Sequence, residues 1–65
     1  MRLYVVTFAW DADRTIYCTN LARAKTAEAV ERYYERNYHV LNVREAKEYE
    51  GSEYAAKGMP IVDIP

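Results

Sequence analysis

The chain has 65 residues, a formal net charge of −1, a single cysteine and a single histidine. A chain of this length forms one small domain, here residues 1–65, and buries only about 60% of the surface that its unfolded form exposes. These totals exclude an intrachain disulfide, a zinc site built from clustered cysteine and histidine, and a uniformly basic nucleic-acid-binding protein.

The first predicted element is a strand over residues 3–10, which are rich in β-branched and aromatic residues and contain no glycine or proline. Both faces of this strand are largely apolar, so we expect it to be the central strand of a sheet. Residues 11–14 are predicted to turn, because two aspartates interrupt the apolar pattern. Residues 15–21 then form the second, edge strand of a β-hairpin. The bulkier face of the first strand, which we expect a helix to cover, carries Tyr4, Val6, Phe8 and Trp10.

The next predicted element is a helix over residues 27–36. Thr26 is a suitable N-cap, and Glu28 lies in the first turn, where the helix dipole favours a negative charge. Apolar residues recur at the helical period and form a stripe that should face the sheet. The members of this stripe are Ala29, Val30, Tyr33 and Tyr34.

A third strand is predicted from Val40, and we extend it to about residue 49. The composition of residues 44–50 also suits a helix, so a strand with exposed charges and a helix both remain open for this segment. Ser52 is predicted to cap a single helical turn over residues 53–57, which Gly58 ends. The apolar tail, residues 59–65, is expected to add a strand or to pack across the core.

This order of elements predicts an α+β fold with β-β-α-β topology. We expect a three-stranded antiparallel sheet in the order 2-1-3, with the main helix on one face and a right-handed crossover from strand 2 to strand 3. The opposite face, which carries Leu3 and Val5, is left for either the C-terminal segment or a second protein to cover.

Tyrosine content and charge distribution predict a partner-binding surface. The chain has seven tyrosines against one phenylalanine and one tryptophan, and residues 1–44 carry a net charge of +2 whereas residues 45–65 carry −3. Tyrosine is enriched at interfaces because its ring is apolar and its hydroxyl tolerates water. We assign Tyr4, Tyr33 and Tyr34 to the core. The alternative interpretation of the acidic segment, residues 45–65, is an ordinary solubilising surface. The candidate contacts are Tyr49, Tyr54, Glu45, Glu48, Glu50, Glu53, Tyr17 and Tyr38.

A second hypothesis is the binding of single-stranded nucleic acid. Four basic residues can form a loose patch at one end of the sheet, with Tyr17 or Trp10 beside it to stack on bases. The chain has only two glycines, and so it lacks the glycine-rich loops that hold phosphates. Nucleic acid is therefore the weaker alternative. The basic residues of this hypothesis are Arg14, Arg23, Lys25 and Arg44.

The residues with catalytic potential form no recognisable constellation. Cys18 and His39 are predicted on different strands, with nothing to bring a nucleophile and a base together. Asp11 and Asp13 lack the glycine and the distal glutamate of a calcium-binding loop. We therefore predict that the protein is not an enzyme and uses no metal and no cofactor.

The sequence also predicts where the protein works and how it associates. The N-terminus leads directly into a strand pattern without the features of a signal peptide, and no run of about 18 apolar residues follows. We expect a cytoplasmic protein without a membrane segment. A homodimer through a strand edge or the uncovered sheet face stays open, because short domains often gain stability by association.

Three segments together resemble a known group of proteins. Residues 4–10, 24–29 and 40–45 read YVVTFAW, AKTAEA and VLNVRE. This pattern, over residues 3–49, is similar to that of short β-β-α-β proteins of phages and mobile elements of gut Firmicutes, including DpnD/PcfM-like proteins. The resemblance implies a partner encoded by the bacterial host or by the element, and some small phage proteins inhibit defence systems such as CRISPR–Cas. We therefore expect a non-enzymatic inhibitor that occludes its partner, and the alternative is a nucleic-acid-binding accessory protein.

Overall fold

The structure is a computed structural model that describes residues 1–11, 13 and 15–65. Within these residues the elements are β1 (Arg2–Ala9), β2 (Tyr17–Ala24), α1 (Ala27–Glu35), β3 (His39–Glu45), α2 (Glu50–Ala56) and β4 (Ile61–Asp63). The α+β class and the order of the first four elements agree with the prediction.

β1 lies inside the sheet, as the two apolar faces of its sequence predict. The strand order is β3-β1-β2-β4, and β1 pairs antiparallel with both β2 and β3. The prediction of a three-stranded antiparallel sheet was incomplete, because β4 adds a fourth strand that pairs in parallel with β2. The tail joins the sheet because it can bury apolar side chains: Val62 packs against the main core, and Ile64 is part of that core.

The hairpin between β1 and β2 is closed by the carboxylate of Asp11. This carboxylate accepts hydrogen bonds from the Thr15 backbone N–H (3.0 Å), the Thr15 hydroxyl (2.6 Å) and the Ile16 backbone N–H (3.2 Å). The Thr15 hydroxyl, followed by the Ile16 N–H, lowers the pKa of the Asp11 carboxyl. These bonds hold residues 15 and 16 in the turn, so β2 begins at Tyr17 and not at residue 15 as predicted. Residues 12 and 14 of the predicted turn lie outside the described residues.

The main core lies between α1 and one face of the sheet. As predicted, this helix-side face of β1 carries Tyr4, Val6 and Phe8, which are buried and pack with Tyr34 of α1. The assignment of Tyr33 to the core was wrong. Its position is about 100° around the helix from that of its neighbour Tyr34, and its side chain is exposed on the flank of α1.

α1 begins in the way that its sequence predicts. The hydroxyl oxygen of Thr26 accepts a hydrogen bond from the backbone N–H of Ala29 at 3.2 Å, and the backbone of Thr26 is extended, as an N-cap requires. The helix runs to Glu35, and Arg36 is its C-cap.

We expect Thr26→Ala to lower the free energy of unfolding by about 1 kcal/mol, because the first turn of α1 loses an acceptor for one of its free N–H groups. Thr26→Ser keeps the hydroxyl and should stay close to the wild type. Urea denaturation followed by circular dichroism measures both variants. If they prove equally stable, the Thr26 hydroxyl does not contribute as a cap.

β3 ends where the chain turns toward α2. Glu45 pairs with Tyr4, and the N–H of Ala46 donates to the carbonyl of Leu3 at 2.8 Å. The next backbone N–H, that of Lys47, donates to the Glu50 carboxylate and not to β1, so the prediction of a strand to about residue 49 was wrong. Residues 44–50, for which a strand and a helix were both predicted as alternatives, contain the end of β3 and the start of α2.

A bulge interrupts the pairing of β3 with β1. The register shifts between Thr7 and Phe8, so that Thr7 pairs with Asn42 and Phe8 with Val40. Leu41 is the extra residue in β3. Val40 packs against the main core, whereas Leu41 is exposed.

α2 is longer than predicted and starts earlier. The predicted turn covered residues 53–57 with Ser52 as its cap, whereas the helix covers Glu50–Ala56 and has Ser52 inside it. Gly58 ends the helical segment as predicted, with a positive φ of 79° that suits glycine.

α2 covers one end of the face opposite α1. A Cβ on Gly51 would lie 3.2 Å from Cδ2 of Leu3, so the missing side chain lets α2 approach the sheet closely. Val5 and Leu21, which pair with each other across the strands on this face, are buried. The sequence left this face for either the C-terminal segment or a second protein to cover. The C-terminal segment, through α2, covers the end of the face that carries Leu3.

Candidate functional site

The predicted partner-binding residues lie at two ends of the sheet. Six of them surround α2, which contacts Leu3 near the start of β1. The other two lie beside Ala9 at the end of β1, about 20 Å away along the strand. We call these regions the α2 end and the hairpin end. The α2 end carries Glu45, Glu48, Tyr49, Glu50, Glu53 and Tyr54, and the hairpin end carries Tyr17 and Tyr38.

Glu50 fixes α2 to the sheet. Its buried carboxylate accepts two hydrogen bonds from the Arg44 guanidinium, at 2.7 and 2.8 Å, and one from the Lys47 backbone N–H, at 2.8 Å. The Arg44 guanidinium, followed by the Lys47 N–H, lowers the pKa of the Glu50 carboxyl to about 2. The same contact raises the pKa of Arg44. Glu50 is thus engaged within the chain and is not a free contact for a partner.

Three further carboxylates of the C-terminal third form ion pairs within the chain. Each pair is exposed and contributes little to stability, but it neutralises part of the negative charge that this surface presents. The acidic surface is therefore weaker than the charge asymmetry of the sequence predicts. The pairs and their N···O distances are Glu45–Arg2 (3.5 Å), Glu53–Lys57 (3.7 Å) and Asp63–Arg23 (3.1 Å).

Tyr49 and Glu48 remain exposed at the α2 end. Tyr49 is 59% exposed and directly precedes α2. Glu48 has no ion-pair partner among the described residues. Tyr54 is half-buried, and the Lys57 ammonium lies 5.6 Å from the centre of its ring. Of the two tyrosines predicted here, Tyr49 is the one available to a partner.

The residues of the nucleic-acid hypothesis do not form a free basic patch in the part of the chain that the structure describes. Arg23 and Arg44 lie on one face of the sheet, on either side of β1, but each is bonded to a carboxylate of the chain. Lys25 is exposed just beyond β2, and Arg14 lies outside the described residues. Much of the positive charge that would attract phosphates is therefore neutralised.

Large apolar side chains are exposed at the hairpin end. They are Trp10 (58% exposed), Ile16 (61%), Tyr17 (60%) and Leu41 (40%). Together with the half-buried Tyr38 they form what we call the hairpin-end surface, which extends over both faces of the sheet: Trp10 and Tyr38 lie on the α1 side, and Tyr17, which pairs with Ala9, lies on the other side. Sequence reasoning missed Ile16 and Leu41 as contacts, and it considered Trp10 only for stacking on nucleic-acid bases. The position of Ile16 directly after a polar turn was a signal that its side chain would be exposed.

Hydrogen-bonded backbone holds these side chains in place. Tyr17, the first residue of β2, pairs with Ala9, the last residue of β1. Trp10 follows Ala9, and its backbone N–H donates to the Ile16 carbonyl at 3.0 Å. Leu41 is fixed by the bulge in β3. A partner that covers this surface therefore has little chain to order, which lowers the entropic cost of binding.

Packed rings connect the hairpin-end surface to the core. The ring centre of Tyr38 lies 4.7 Å from that of Phe8 and 5.2 Å from that of Trp10. On the helix side, the ring of Tyr34 lies 4.8 Å from that of Phe8. These distances are in the range of favourable aromatic pairs. The exposed indole of Trp10 is thus anchored to buried residues.

The single histidine and the single cysteine are directed to opposite faces of the sheet. Cys18 pairs with Phe8 and packs against the main core, whereas His39 pairs with Ala9, whose side chain has the opposite direction. The Cys18 sulfur accepts a hydrogen bond from the indole Nε1–H of Trp10 at 2.9 Å. Cys18 and His39 therefore do not form a nucleophile–base pair.

Residues 1–11, 13 and 15–65 contain neither a clustered metal site nor a helix that could cross a membrane. These residues contain no group of three or more histidine, cysteine, aspartate or glutamate side chains placed to hold a metal ion. In the same ranges, α1 and α2 both lack the length and the apolar character needed to cross a membrane.

No family model, curated protein or solved structure matches the chain. The choice of a functional site therefore depends on the geometry of the two ends of the sheet.

Proposed function

We propose that the protein is a non-enzymatic protein-binding module that covers a surface of its partner. The observation that carries this proposal is the hairpin-end surface, where four large apolar side chains are exposed beside a packed aromatic cluster. Grouped exposed apolar residues, with aromatic rings among them, are characteristic of protein interfaces.

Trp10 and Tyr17 are the expected anchors of this interface. Tryptophan and tyrosine are enriched among the residues that dominate binding free energies, where truncation to alanine typically costs about 2 kcal/mol or more. Both side chains lie at the hairpin end, Trp10 on the α1 side of the sheet and Tyr17 on the other side, so a partner that contacts both must reach around this end. Their rings bring large apolar areas to the partner at a small conformational cost.

The dimensions of the protein suit a contact at one end. A standard interface buries roughly 800 Å² on each partner, and the accessible surface of this protein is 4575 Å². A standard contact would therefore use about one sixth of the surface.

Occlusion is the proposed mode of action. A protein of 32 × 24 × 15 Å that catalyses no reaction acts by covering a surface of its partner that another molecule would otherwise contact. The resemblance to small phage and mobile-element proteins supports a partner from the bacterial host or from the element itself. Inhibition of a host defence protein is the proposed consequence.

Capture from a bacterial host lysate tests the proposal with three proteins. They are the wild type, a hairpin-end variant (Trp10→Ala with Tyr17→Ala) and an α2-end variant (Tyr49→Ala with Glu48→Lys). We expect the wild type and the α2-end variant to retain the same protein, and the hairpin-end variant to bind it at least about tenfold more weakly. Circular dichroism of each variant checks that the fold is kept.

The matched variants make the outcomes distinct. If the hairpin-end variant still retains the protein, the interface lies elsewhere. If only the α2-end variant fails to retain the protein, the tyrosines and acidic residues around α2 form the contact. If the wild type captures nothing above the background of an unrelated small protein, the proposed function is refuted.

A further inference from the structure

A groove runs along α1 beside the C-terminal segment that contains β4. It consists of two adjoining clefts of about 380 and 270 Å³, which share Tyr33 and Arg36 in their walls. We propose that this groove, the α1–β4 groove, binds an acidic segment of the partner that also carries a large apolar side chain. This inference rests on the proposed function and deepens it, because it gives the chemistry of the partner.

Tyrosine rings dominate the larger cleft. Tyr34 is its buried member, and its hydroxyl accepts a hydrogen bond from the Asn20 side-chain amide at 3.2 Å. The Tyr34 hydroxyl is neutral near pH 7 at its ordinary pKa of 10.0, and burial raises this pKa further, so the hydroxyl does not repel an anion. The lining residues are Tyr33, Tyr34, Arg36, Asn37, Tyr38 and Val62.

The smaller cleft is apolar along the side formed by the tail. Ile64 and Pro65 face Ala29 across it, and Arg32 lies at its margin together with the two shared residues. Ile64 is buried in the main core, which fixes this wall. A cleft of about 270 Å³ has room for one large apolar side chain next to the Tyr33 ring.

Arg32 and Arg36 give the groove its positive charge. They lie one helical turn apart on the same side of α1, and both are exposed. Neither is in an ion pair in the described part of the chain, whereas every other arginine described there is paired with a carboxylate. Glu28 is one turn before Arg32 but is not paired with it. The two guanidinium groups are therefore available to carboxylates of a partner, which arginine can bind through two hydrogen bonds.

The surrounding charges favour a peptide over a nucleic acid. Two arginines match one or two carboxylates, whereas nucleic-acid binding relies on many phosphate contacts. The net charge of the chain is −1. A nucleic acid that extended along α1, with a phosphate at every nucleotide, would also meet the three glutamates of this helix, and these would repel its phosphates. Those residues are Glu28, Glu31 and Glu35.

The α1–β4 groove is continuous with the hairpin-end surface. Tyr38 lines the larger cleft, and its ring packs against Trp10 at 5.2 Å. A partner anchored on Trp10 can therefore continue across Tyr38 and place a carboxylate at Arg36. The groove would then select for acidic partners, and the hairpin-end surface would supply the apolar contact.

Isothermal titration calorimetry of the full chain with a random copolymer of glutamate and tyrosine tests the inference. We expect the wild type to bind the copolymer with an affinity that falls as salt is added. Arg32→Gln with Arg36→Gln should bind at least about tenfold more weakly. Glutamine has a helix propensity close to that of arginine, so α1 should be retained, and circular dichroism verifies it.

The matched control is Lys25→Gln with Lys47→Gln, which removes the same charge from two exposed lysines outside the groove. Its affinity for the copolymer should stay within about twofold of the wild type. Equal weakening in both double variants would show non-specific attraction and would overturn the inference. Tighter binding of an oligo-dT strand, or of a lysine–tyrosine copolymer, would overturn it as well.

The two proposals fail in different ways. If Arg32→Gln with Arg36→Gln captures the lysate protein as well as the wild type does, and the hairpin-end variant does not, the inference is wrong and the proposed function stands. If lysate capture fails for the wild type while the copolymer still binds through the two arginines, the proposed function is wrong and the groove remains an anionic-peptide site.

Discussion

Phe8→Ala is expected to unfold a large fraction of the protein. Phe8 is buried in the main core, and its ring lies 4.8 Å from that of Tyr34 and 4.7 Å from that of Tyr38. Truncation of a buried phenylalanine to alanine costs about 3–5 kcal/mol. A domain of 65 residues has a total stability of roughly 3–10 kcal/mol. The variant should therefore lose about a third of its stability or more in urea denaturation.

Trp10→Ala is the control for this loss. Trp10 lies two residues further along the chain, just beyond β1 and on the same side of the sheet, but its side chain is exposed, so we expect a decrease of about 1 kcal/mol. The two substitutions separate folding from binding, since Phe8 supports the core and Trp10 belongs to the hairpin-end surface. Similar stability losses for both variants would contradict the burial that the structure assigns to Phe8.

Arg44→Met is expected to destabilise the protein more than Arg44→Met combined with Glu50→Met. The single substitution leaves the buried Glu50 carboxylate with one of its three hydrogen bonds, from the Lys47 N–H. An unpaired buried charge is costly, whereas replacing both partners of a buried pair by apolar side chains is often tolerated. Urea denaturation of the two variants measures this order, and the reverse order would mean that the pair itself is a net source of stability.

The same pair gives the protein a pH-dependent stability. The pKa of the Glu50 carboxyl is about 2 in the folded protein, below its ordinary value of 4.5. The folded state therefore gains stability from ionised Glu50 above about pH 4.5, and it loses this stability as the pH falls toward 2. We expect Glu50→Gln to remove this part of the acid sensitivity. An unchanged profile between pH 4.5 and 2 would show that other carboxyls control acid unfolding.

Local sequence patterns predict the elements whose causes are local. The composition of β1 and the Thr26 cap each act through neighbouring residues, and both were placed correctly. The end of β3 and the start of α2 both depend on Glu50, whose carboxylate bonds to the Arg44 guanidinium and to the Lys47 N–H. These causes connect separate parts of the chain. For that reason residues 44–50 stayed ambiguous in sequence.

The sequence pattern did not predict that β4 pairs in parallel with β2, and the reason is similar. A short apolar tail signals burial but gives no direction or partner. Pairing with β2 follows from the three-dimensional position of the β2 edge, and it places Val62 and Ile64 against the main core. The prediction that the tail adds a strand or packs on the core was correct in both of its parts.

The candidate site was only partly predictable. The sequence placed Trp10 on the face that α1 covers, and this face assignment is consistent with its contact to Tyr38. However, α1 has nine residues and is about 14 Å long, whereas the eight residues of β1 extend over about 26 Å. The helix is too short to cover the whole strand, so Trp10 stays exposed. The pairing of carboxylates with basic residues 40 and 43 positions away was equally invisible in sequence.

The contact between Trp10 and Cys18 makes the fluorescence of Trp10 an intrinsic reporter of the state of the protein. The chain has one tryptophan, and its indole N–H is 2.9 Å from the Cys18 sulfur. Thiols quench indole emission on contact, so the folded protein should emit weakly and brighten as the hairpin opens. Since the same indole faces solvent at the hairpin end, exclusion of water by a bound molecule should shift its emission to shorter wavelengths. A single spectrum thus distinguishes folded, unfolded and occupied states without an added dye.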